Sequence, residues 1–313
     1  MTGGRDGPGL NAFIRSVVRT AHHLYGLEVI GVRFGFEGLL KADFITLDNL
    51  AVSDILSRGG TILKTSMKYF NFNQRTITKV KKNLKSQAID GLIIAGGEGT
   101  ARVAKKLAGA GVPLVFVPAT IDNNIAGTEA LGFDSVLTNL VAVIDKIKDT
   151  ASSNPRIFVV ELRQDEVGFQ TLFLGVTSGI EWLFLPGSPP NLERLGAGLQ
   201  HGIETGKNHQ LVLTSSSALS SEKIALFLKK RLSLPVKSLY LEDIERGGQP
   251  TARDLILASL FGSFAVKNLL EGHTKISVGI QKNKLVRLAL SRLASRRKHL
   301  PPAIIKLQKE LAA

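Results

Sequence analysis

The chain has 313 residues, of which 44% are hydrophobic, and this is enough for one large or two medium domains. It has no cysteine, which excludes disulfides and thiolate metal sites, and no apolar run reaches the about 20 residues that a membrane helix needs. Forty basic residues against 26 acidic ones give a net charge of +14. Residues 1–13 lack the apolar core of a secretion signal, so we expect a soluble, cytoplasmic protein without a membrane partner.

Apolar runs alternate with amphipathic stretches along the chain. Strands are predicted at 92–95, 113–117, 156–160 and 210–213. Helices are predicted at 101–110, 134–148, 191–205 and 221–231. Strands and helices that alternate imply βαβ units with mostly parallel sheets, so the expected fold class is α/β.

Two glycine- or asparagine-rich segments come directly after predicted strands. They are Gly-Gly-Glu-Gly-Thr at 96–100 and Pro-Ala-Thr-Ile-Asp-Asn-Asn at 118–124. In open α/β sheets, ligands bind beyond the carboxyl ends of the strands. Two such segments at successive strand ends therefore predict one binding site.

The segment 96–100 is suited to holding a phosphate. Glycines let the backbone approach the phosphate, and the start of the next helix supplies free amides and the positive end of a dipole. Glu98 could help to hold Mg²⁺, and Thr100 could cap the helix or contact a nucleotide. A glycine-rich turn of this kind also occurs for structural reasons alone.

Two further segments add charged groups. Asp122 follows a predicted strand, where its carboxylate could take a proton from an attacking hydroxyl or could cap a turn. Arg246 precedes two glycines in the segment 244–250, and its planar fork of donors suits an anion. The alternative for Arg246 is a solvated side chain beside an ordinary glycine turn.

The positive charge is concentrated in the carboxyl-terminal segment 282–313. Nine basic residues face one acidic residue there, so the segment carries +8 of the total of +14. Such a segment can bind nucleic acid, or it can be the solvated face of a helix. We expect no nucleic-acid partner, because prolines interrupt the segment and no aromatic residue is present to stack on bases.

Together these segments resemble the phosphofructokinase family. The segments 96–100, 118–124 and 244–250 occur in the order and at about the spacing found in that family. Further similar positions are the opening loop with Gly4, the turn 59–66, Gly-Phe-Asp-Ser at 132–135, Arg156, Glu161 and Gly-Ile-Gln at 279–281. The resemblance covers nearly the whole chain, which is identified as a divergent member similar to the ATP-dependent 6-phosphofructokinases.

The resemblance implies roles for residues on the sugar side. Asp122 corresponds to the base that deprotonates the 1-hydroxyl of fructose 6-phosphate, and Thr120 to a substrate-binding threonine. Arg246 corresponds to an arginine that binds the substrate phosphate. Arg156 and Lys237 correspond to cations that reach the sugar phosphate from a neighbouring subunit, and Lys237 replaces an arginine.

The resemblance also implies a nucleotide side. The positions implied to bind the nucleotide are Gly4, Gly96, Gly97, Gly99 and Thr100, with Glu98 at Mg²⁺. A small residue at position 99 accompanies ATP in the family, whereas an aspartate accompanies pyrophosphate. ATP with Mg²⁺ is therefore the expected donor, and the reaction is a glycolytic kinase reaction.

Several positions depart from the family's pattern. Arg5 stands at a glycine position, and Asn124 replaces the second aspartate of the Thr-Ile-Asp-Asn-Asp motif. Met67 and Asp165 stand at two arginine positions, and Asp243 stands at a histidine position. Phosphoryl transfer depends on cations aimed at the moving group, so we expect the active site to be degenerate and the activity to be weak or lost.

The expected architecture is the phosphofructokinase fold, with two Rossmann-like three-layer domains. A nucleotide-binding domain is predicted at 1–133 plus 245–290, and a sugar-phosphate-binding domain at 134–244 plus 291–313. The family has an apolar strand before the opening loop, whereas this sequence begins at the loop, so we expect either a different start or a loop without its anchoring strand.

Two functions remain open at this point. The first is an active kinase in a homo-oligomer, a dimer or a tetramer. The second is a non-catalytic paralogue, a pseudoenzyme that binds sugar phosphate or nucleotide, or that regulates an active sister subunit in a hetero-oligomer.

Overall fold

The structure is a computed structural model that describes residues 1–66, 72–162, 166–188, 190–241, 244, 246–293 and 298–312. The strands in this part of the chain are β1 (Ile30–Val32), β2 (Phe44–Thr46), β3 (Leu92–Gly96), β4 (Leu114–Pro118), β5 (Ile157–Leu162), β6 (Trp182–Phe184), β7 (Gln210–Ser215), β8 (Val236–Leu241), β9 (Ile276–Gln281) and β10 (Lys284–Ala289). The helices are α1 (Leu10–Tyr25), α2 (Gly35–Lys41), α3 (Gln74–Ser86), α4 (Glu98–Gly109), α5 (Phe133–Ser153), α6 (Phe169–Thr177), α7 (Leu192–Glu204), α8 (Ser221–Lys229), α9 (Ala252–Leu270), α10 (Leu290–Leu293) and α11 (Pro302–Leu311).

The chain divides into two compact units, each made of two separate segments. The first unit contains Met1–Val136 and Arg246–Lys298, and the second contains Leu137–Glu245 and His299–Ala313. Helix α5 begins in the first unit and ends in the second. The assignment of nucleotide binding to one unit and sugar-phosphate binding to the other stays a prediction.

The first unit contains a four-stranded sheet in the order β10-β9-β4-β3. Strands β3, β4 and β9 are parallel, and β10 pairs with β9 in the antiparallel direction. All five residues of β4 are buried, as expected for a central strand that is covered on both faces. A separate antiparallel pair is formed by β1 and β2.

Alternate residues of the central strands pack into two different cores. Val115 and Val117 pack with α1 and α9, whereas Ile94 and Phe116 pack with α3 and α4. Burial of one such side chain stabilises the fold by about 1.5–3 kcal/mol. Helices therefore cover both faces of the sheet, which makes the first unit a three-layer α/β structure.

The second unit contains a four-stranded parallel sheet in the order β6-β7-β5-β8. Every residue of β5 and β7 is buried, and α7 and α8 pack against these strands in an apolar core. The only described acidic side chain buried in β5 is Glu161, which accepts a 2.6 Å hydrogen bond from the backbone N–H of Ser221 at the start of α8. The predicted α/β class with mostly parallel sheets is confirmed.

The predicted elements are present with shifted ends. Strands predicted at 92–95 and 210–213 begin where β3 and β7 begin, and those predicted at 113–117 and 156–160 begin one residue before β4 and β5. The helix predicted at 101–110 is wrong at its start, because α4 already begins at Glu98. In the described part of the chain, no helix is both long and apolar enough to cross a membrane.

The first three residues run beside β3 and anchor the loop that follows them. The Met1 ammonium donates to Ile93 O at 2.8 Å, Ala95 N donates to Met1 O at 3.0 Å, and Gly3 N donates to Ala95 O at 2.8 Å. Met1 also borders a mostly apolar cavity of about 520 Å³, whose lining includes Val18 and Val32. The loop is thus tied to the edge of the sheet by backbone hydrogen bonds.

Candidate active site

The two segments that follow β3 and β4 lie side by side. Gly96 and Pro118 are register partners in the parallel pair, and Ala119 N donates to Gly96 O at 2.9 Å. A Cβ added to Gly97 would lie 3.4 Å from Thr120 Cβ. The glycine-rich segment and the Thr-Ile-Asp-Asn-Asn segment therefore share one edge of the sheet.

The glycine-rich segment forms the start of α4. Gly97 is the N-cap residue and offers no side chain, so the prediction that Thr100 could cap the helix is wrong. Glu98, Gly99 and Thr100 make up the first turn, whose backbone N–H groups have no partner within the helix. Such a turn attracts an anion through these amides and the helix dipole.

The side chain of Thr100 packs between two glycines. A Cβ on Gly3 would lie 2.8 Å from Thr100 Cγ2, and one on Gly96 would lie 2.6 Å from Thr100 Oγ1. Thr100 is 4% exposed, so this contact is tight and dry. Gly99 differs, because a Cβ there would have no heavy atom within 4 Å and would extend into open space.

Asn11, in the first turn of α1 after the opening loop, holds the segment 58–62 in place. Its side-chain amide donates to Arg58 O at 3.0 Å and Gly59 O at 3.1 Å, and its oxygen accepts from Ile62 N at 2.7 Å. Gly4 in the opening loop has φ +82°, a left-handed conformation that glycine adopts without strain. Arg5, which is half-buried, is not among the described residues with positive φ, so its backbone tolerates a side chain.

The proposed base Asp122 is bonded to Thr120. Thr120 Oγ1 donates to Asp122 Oδ2 at 3.1 Å, and Asp122 N donates back to Thr120 Oγ1 at 3.2 Å. Both side chains are half-buried. The pair fixes the direction of the carboxylate while leaving part of it accessible.

The two asparagines after Asp122 have different surroundings. Asn123 has φ +47°, is 7% exposed, and accepts from Ala130 N at 3.2 Å through Oδ1. Asn124 Oδ1 is buried and has no hydrogen-bond partner among the described residues. An unsatisfied amide oxygen costs free energy, so this position is a place where a ligand group or a water could bind.

The segment 132–135 is organised by Asp254, which the sequence reading missed. Asp254 accepts hydrogen bonds from Gly132 N at 3.0 Å, Ser135 N at 2.9 Å and Ser135 Oγ at 2.5 Å. Burial raises the pKa of this carboxyl group. Thr251 is the N-cap of α9, and the Thr-x-x-Asp spacing is a helix-start signal that could have revealed it.

Arg246 lies against the opening loop of the same unit. Its Nη1 donates to Asp6 O at 3.4 Å, and its side chain is half-buried. Gly59 allows a close approach in this region, because a Cβ there would lie 2.3 Å from Gly248 O. The structure therefore brings the segments containing Gly4, Gly59 and Arg246 together in the first unit.

Arg156 and Lys237 lie in the second unit, at the amino ends of neighbouring strands. Arg156 comes just before β5, where its Nε donates to Asn154 O at 2.9 Å and its guanidinium lies 5.9 Å from the Phe158 ring centroid. Lys237 is the register partner of Phe158 in β8 and is exposed. The two cations thus share one edge of the sheet, at the opposite end from the strands' carboxyl ends.

The acidic side chains of the described residues are compatible with a metal ion that binds together with the phosphates of a substrate. No group of three or more His, Asp or Glu side chains in the described part of the chain could hold a metal ion alone. Mg²⁺ is usually held by one or two carboxylates together with substrate phosphates and water. Glu98 fits this mode, because its side chain is 43% exposed at the start of α4, with Arg102 3.8 Å away.

Three of the positions that depart from the family's pattern, Met67, Asp165 and Asp243, lie outside the described residues.

Comparison with known proteins decides the family: residues 1–269 match the family described as Phosphofructokinase. The chain belongs to the phosphofructokinase family. The resemblance read from the sequence is confirmed.

Two phosphofructokinases of similar sequence also match over most of their length. The chain is 37% identical to the ATP-dependent 6-phosphofructokinase of Shouchella clausii, over 100% of this chain and 98% of that protein. It is 39% identical to the ATP-dependent 6-phosphofructokinase of Vibrio cholerae, over 91% of this chain and 89% of that protein.

Solved phosphofructokinases confirm the fold. The chain superposes on phosphofructokinase from Saccharomyces cerevisiae with a TM-score of 0.87 and 29% identity, over 100% of this chain and 47% of the longer yeast chain. A pyrophosphate-dependent phosphofructokinase from Marinobacter aquaeolei has a TM-score of 0.86 at 18% identity, over 100% of this chain and 90% of that chain, which shows the fold alone.

Proposed function

We propose that the chain binds Mg-ATP and fructose 6-phosphate and transfers the γ-phosphoryl group to the sugar 1-hydroxyl, at a rate well below that of a fully equipped phosphofructokinase. The observation that carries this proposal is the bonded pair of Thr120 and Asp122 beside the glycine-rich start of α4. The name of the relatives, ATP-dependent 6-phosphofructokinase, supports ATP as the donor.

In this reaction the 1-hydroxyl oxygen forms a bond to the γ-phosphorus as the bond to the bridging oxygen of ADP breaks. Asp122 takes the proton of the hydroxyl, and Thr120 Oγ1, 3.1 Å from Asp122 Oδ2, orients the carboxylate. The amides of the first turn of α4 bind phosphate oxygens, with Gly4, Gly97 and Gly99 giving the backbone access. Bound Mg²⁺, which Glu98 would help to hold, supplies positive charge to the phosphates.

The sugar phosphate needs cations of its own. Arg246 supplies one from the first unit. Arg156 and Lys237 supply two more to the site of a neighbouring subunit, which requires a homo-oligomer, a dimer or a tetramer. Arg156 and Lys237 lie at the amino ends of β5 and β8, away from the strands' carboxyl ends. This position is compatible with binding a phosphate in the site of another subunit.

The alternative is a pseudoenzyme that binds these ligands or regulates an active sister subunit without catalysing transfer. The observation that favours it is Asn124, a neutral amide where the resemblance implies an aspartate that helps to bind the metal. Its buried Oδ1 has no hydrogen-bond partner in the described structure. Loss of charge here, together with Met67 and Asp165 at arginine positions, removes stabilisation of the transferring phosphoryl group. Retention of Asp122, Thr120 and Arg246 supports residual activity instead.

Turnover and binding distinguish the two functions. Purified protein is assayed for conversion of fructose 6-phosphate with Mg-ATP and with pyrophosphate, and calorimetry measures the binding of each ligand. We expect slow turnover with ATP and none with pyrophosphate. Tight binding of both substrates without turnover would favour the pseudoenzyme. Binding of neither substrate would overturn the kinase and the ligand-binding pseudoenzyme, and would leave only regulation of a sister subunit.

Substitution of Gly99 tests whether ATP binds beside the first turn of α4. An aspartate at position 99 would extend into open space next to the phosphate-binding turn, so the fold tolerates it while its charge repels ATP. We expect Gly99→Asp to weaken Mg-ATP binding by about 10-fold or more, a difference of about 1.4 kcal/mol. The matched control is Gly109→Asp at the other end of α4, where a Cβ also meets nothing within 4 Å, and equal effects of the two substitutions would contradict the assignment.

A further inference from the structure

Lys298 reaches the loop that carries the proposed base. It is the last residue of the first unit, and the chain continues into the second unit at His299. Its Nζ donates to Asn123 Oδ1 at 2.8 Å and to Thr128 O at 2.7 Å. One basic side chain of the carboxyl-terminal segment is thus bonded to the residue directly after Asp122.

The bond to Asn123 acts at a residue whose backbone is left-handed. Asn123 has φ +47°, a conformation that asparagine adopts more readily than most other residues with a side chain. Its Oδ1 accepts from both Ala130 N and Lys298 Nζ, so the amide closes the loop from Asn123 to Ala130. Asp122 and Asn123 share a peptide unit, so the orientation of Asp122 depends on this closure.

The other end of the same loop has its own anchors on β9. Ile280 N donates to Thr128 Oγ1 at 3.0 Å, and Gln281 Nε2 donates to Gly127 O at 2.8 Å. Loss of Lys298 would leave these bonds in place. The expected consequence is a loop that stays attached near Gly127 but loosens near Asp122.

A cation in this place is costly to bury. Burial lowers the pKa of Lys298 to about 8, while the nearby carboxylate of Glu129 opposes this effect. A buried ammonium is retained when it donates to well-placed acceptors. Asn123 Oδ1 and Thr128 O, which accept from Lys298 Nζ, are both in the loop that follows Asp122.

We propose that Lys298 is a positioning residue, which holds the Asp122–Ala130 loop in the arrangement that receives fructose 6-phosphate. The ordering of the loop stands on the geometry alone, and the substrate in this proposal rests on the proposed function. Lys298 is followed directly by His299, the first residue of the carboxyl-terminal segment of the second unit. The residue that holds the loop is therefore also the residue at which the chain leaves the first unit.

The test compares Lys298→Met, Lys298→Arg and the control Lys284→Met, which removes an exposed lysine at the start of β10. Amide hydrogen exchange of the loop and calorimetry with fructose 6-phosphate and Mg-ATP are measured on the full chain. We expect Lys298→Met to speed exchange near Asp122 and to weaken sugar-phosphate binding by about 10-fold, with Mg-ATP binding unchanged. Lys298→Arg should restore part of the loss, and Lys284→Met should behave as the parent.

A second variant covers the case in which Lys298→Met does not fold. Asn123→Gly keeps the left-handed backbone but deletes the amide acceptor, so it should loosen the same loop. Unchanged exchange in both variants, or equal losses of sugar-phosphate and nucleotide binding, would overturn the positioning role. If the parent protein binds no fructose 6-phosphate, the proposed function fails while loop exchange still decides the role of Lys298.

Discussion

Replacement of Asp122 by asparagine should abolish nearly all turnover while leaving fructose 6-phosphate bound. A positioned general base contributes about 10²- to 10⁴-fold to rate, so kcat should fall by about that factor. Asparagine keeps the size of the side chain and an oxygen that can accept from Thr120 Oγ1, which donates at 3.1 Å in the parent. The loss is therefore expected in kcat rather than in KM.

The control is Asp145→Asn on α5, which makes the same change of charge at a side chain that is 62% exposed. A coupled assay gives kcat and KM, and calorimetry gives sugar-phosphate affinity independently of turnover. If the parent turns over and Asp122→Asn keeps its kcat, the base is another residue. If Asp122→Asn instead loses sugar-phosphate binding, Asp122 serves recognition and not proton transfer.

Much of the fold could be predicted because its central strands are mostly apolar. Every residue of β4, β5 and β7 is buried, and such runs stand out from the amphipathic helices around them. Strand β10 gives no such signal, because none of its residues is buried. Its place is set by pairing with β9, a contact that a local pattern does not contain.

The start of α4 shows why an element's end is hard to place. Glu98 and Gly99 follow two glycines, so the segment reads as a turn, yet both residues belong to the first helical turn. Glycine is unfavourable inside a helix but tolerated at its end, where Gly97 adopts an extended conformation as N-cap. The shift matters for the site, because it turns Glu98 and Gly99 from loop residues into part of the anion-binding turn.

Residues that organise the site from a distance left little trace in the sequence. Asp254 bonds to Ser135 across 119 positions, and Lys298 bonds to Asn123 across 175. Lys298 in particular belongs to a segment whose charge fits a solvated surface. Motif spacing located the groups beside the strand ends, whereas the long-range contacts of Asp254 and Lys298, which hold those groups in place, are visible only in the tertiary structure.

Restoration of the altered groups should raise activity more in combination than singly. The substitutions are Met67→Arg, Asn124→Asp and Asp165→Arg, made one at a time and together. The resemblance places all three groups on the same transferring phosphoryl group, and groups that act as a unit have strongly non-additive effects. Loss of one such donor costs about 2.7–4 kcal/mol of transition-state stabilisation, or about 10²- to 10³-fold in rate.

Of these three positions, Asn124 is the one whose surroundings the structure describes. Its buried Oδ1 has no hydrogen-bond partner among the described residues, so a carboxylate oxygen there would break no existing hydrogen bond. Asn124→Asp alone would put a carboxylate there without the arginines that offset its charge, so we expect it to give little gain. The charge-matched control for the triple variant is Asp145→Arg, which also adds two positive charges but on the exposed side of α5.

The triple variant should gain more in kcat/KM than the product of the three single gains, with Asp145→Arg unchanged. The competing explanation is that Arg5 already blocks the nucleotide, since it follows Gly4 in the opening loop and is half-buried. Calorimetry with Mg-ATP separates the two, because a blocked loop predicts no nucleotide binding by the parent or by the triple variant. If the parent binds Mg-ATP and the triple variant gains nothing over the best single variant, missing cations and the missing metal-site carboxylate are not what limits the reaction.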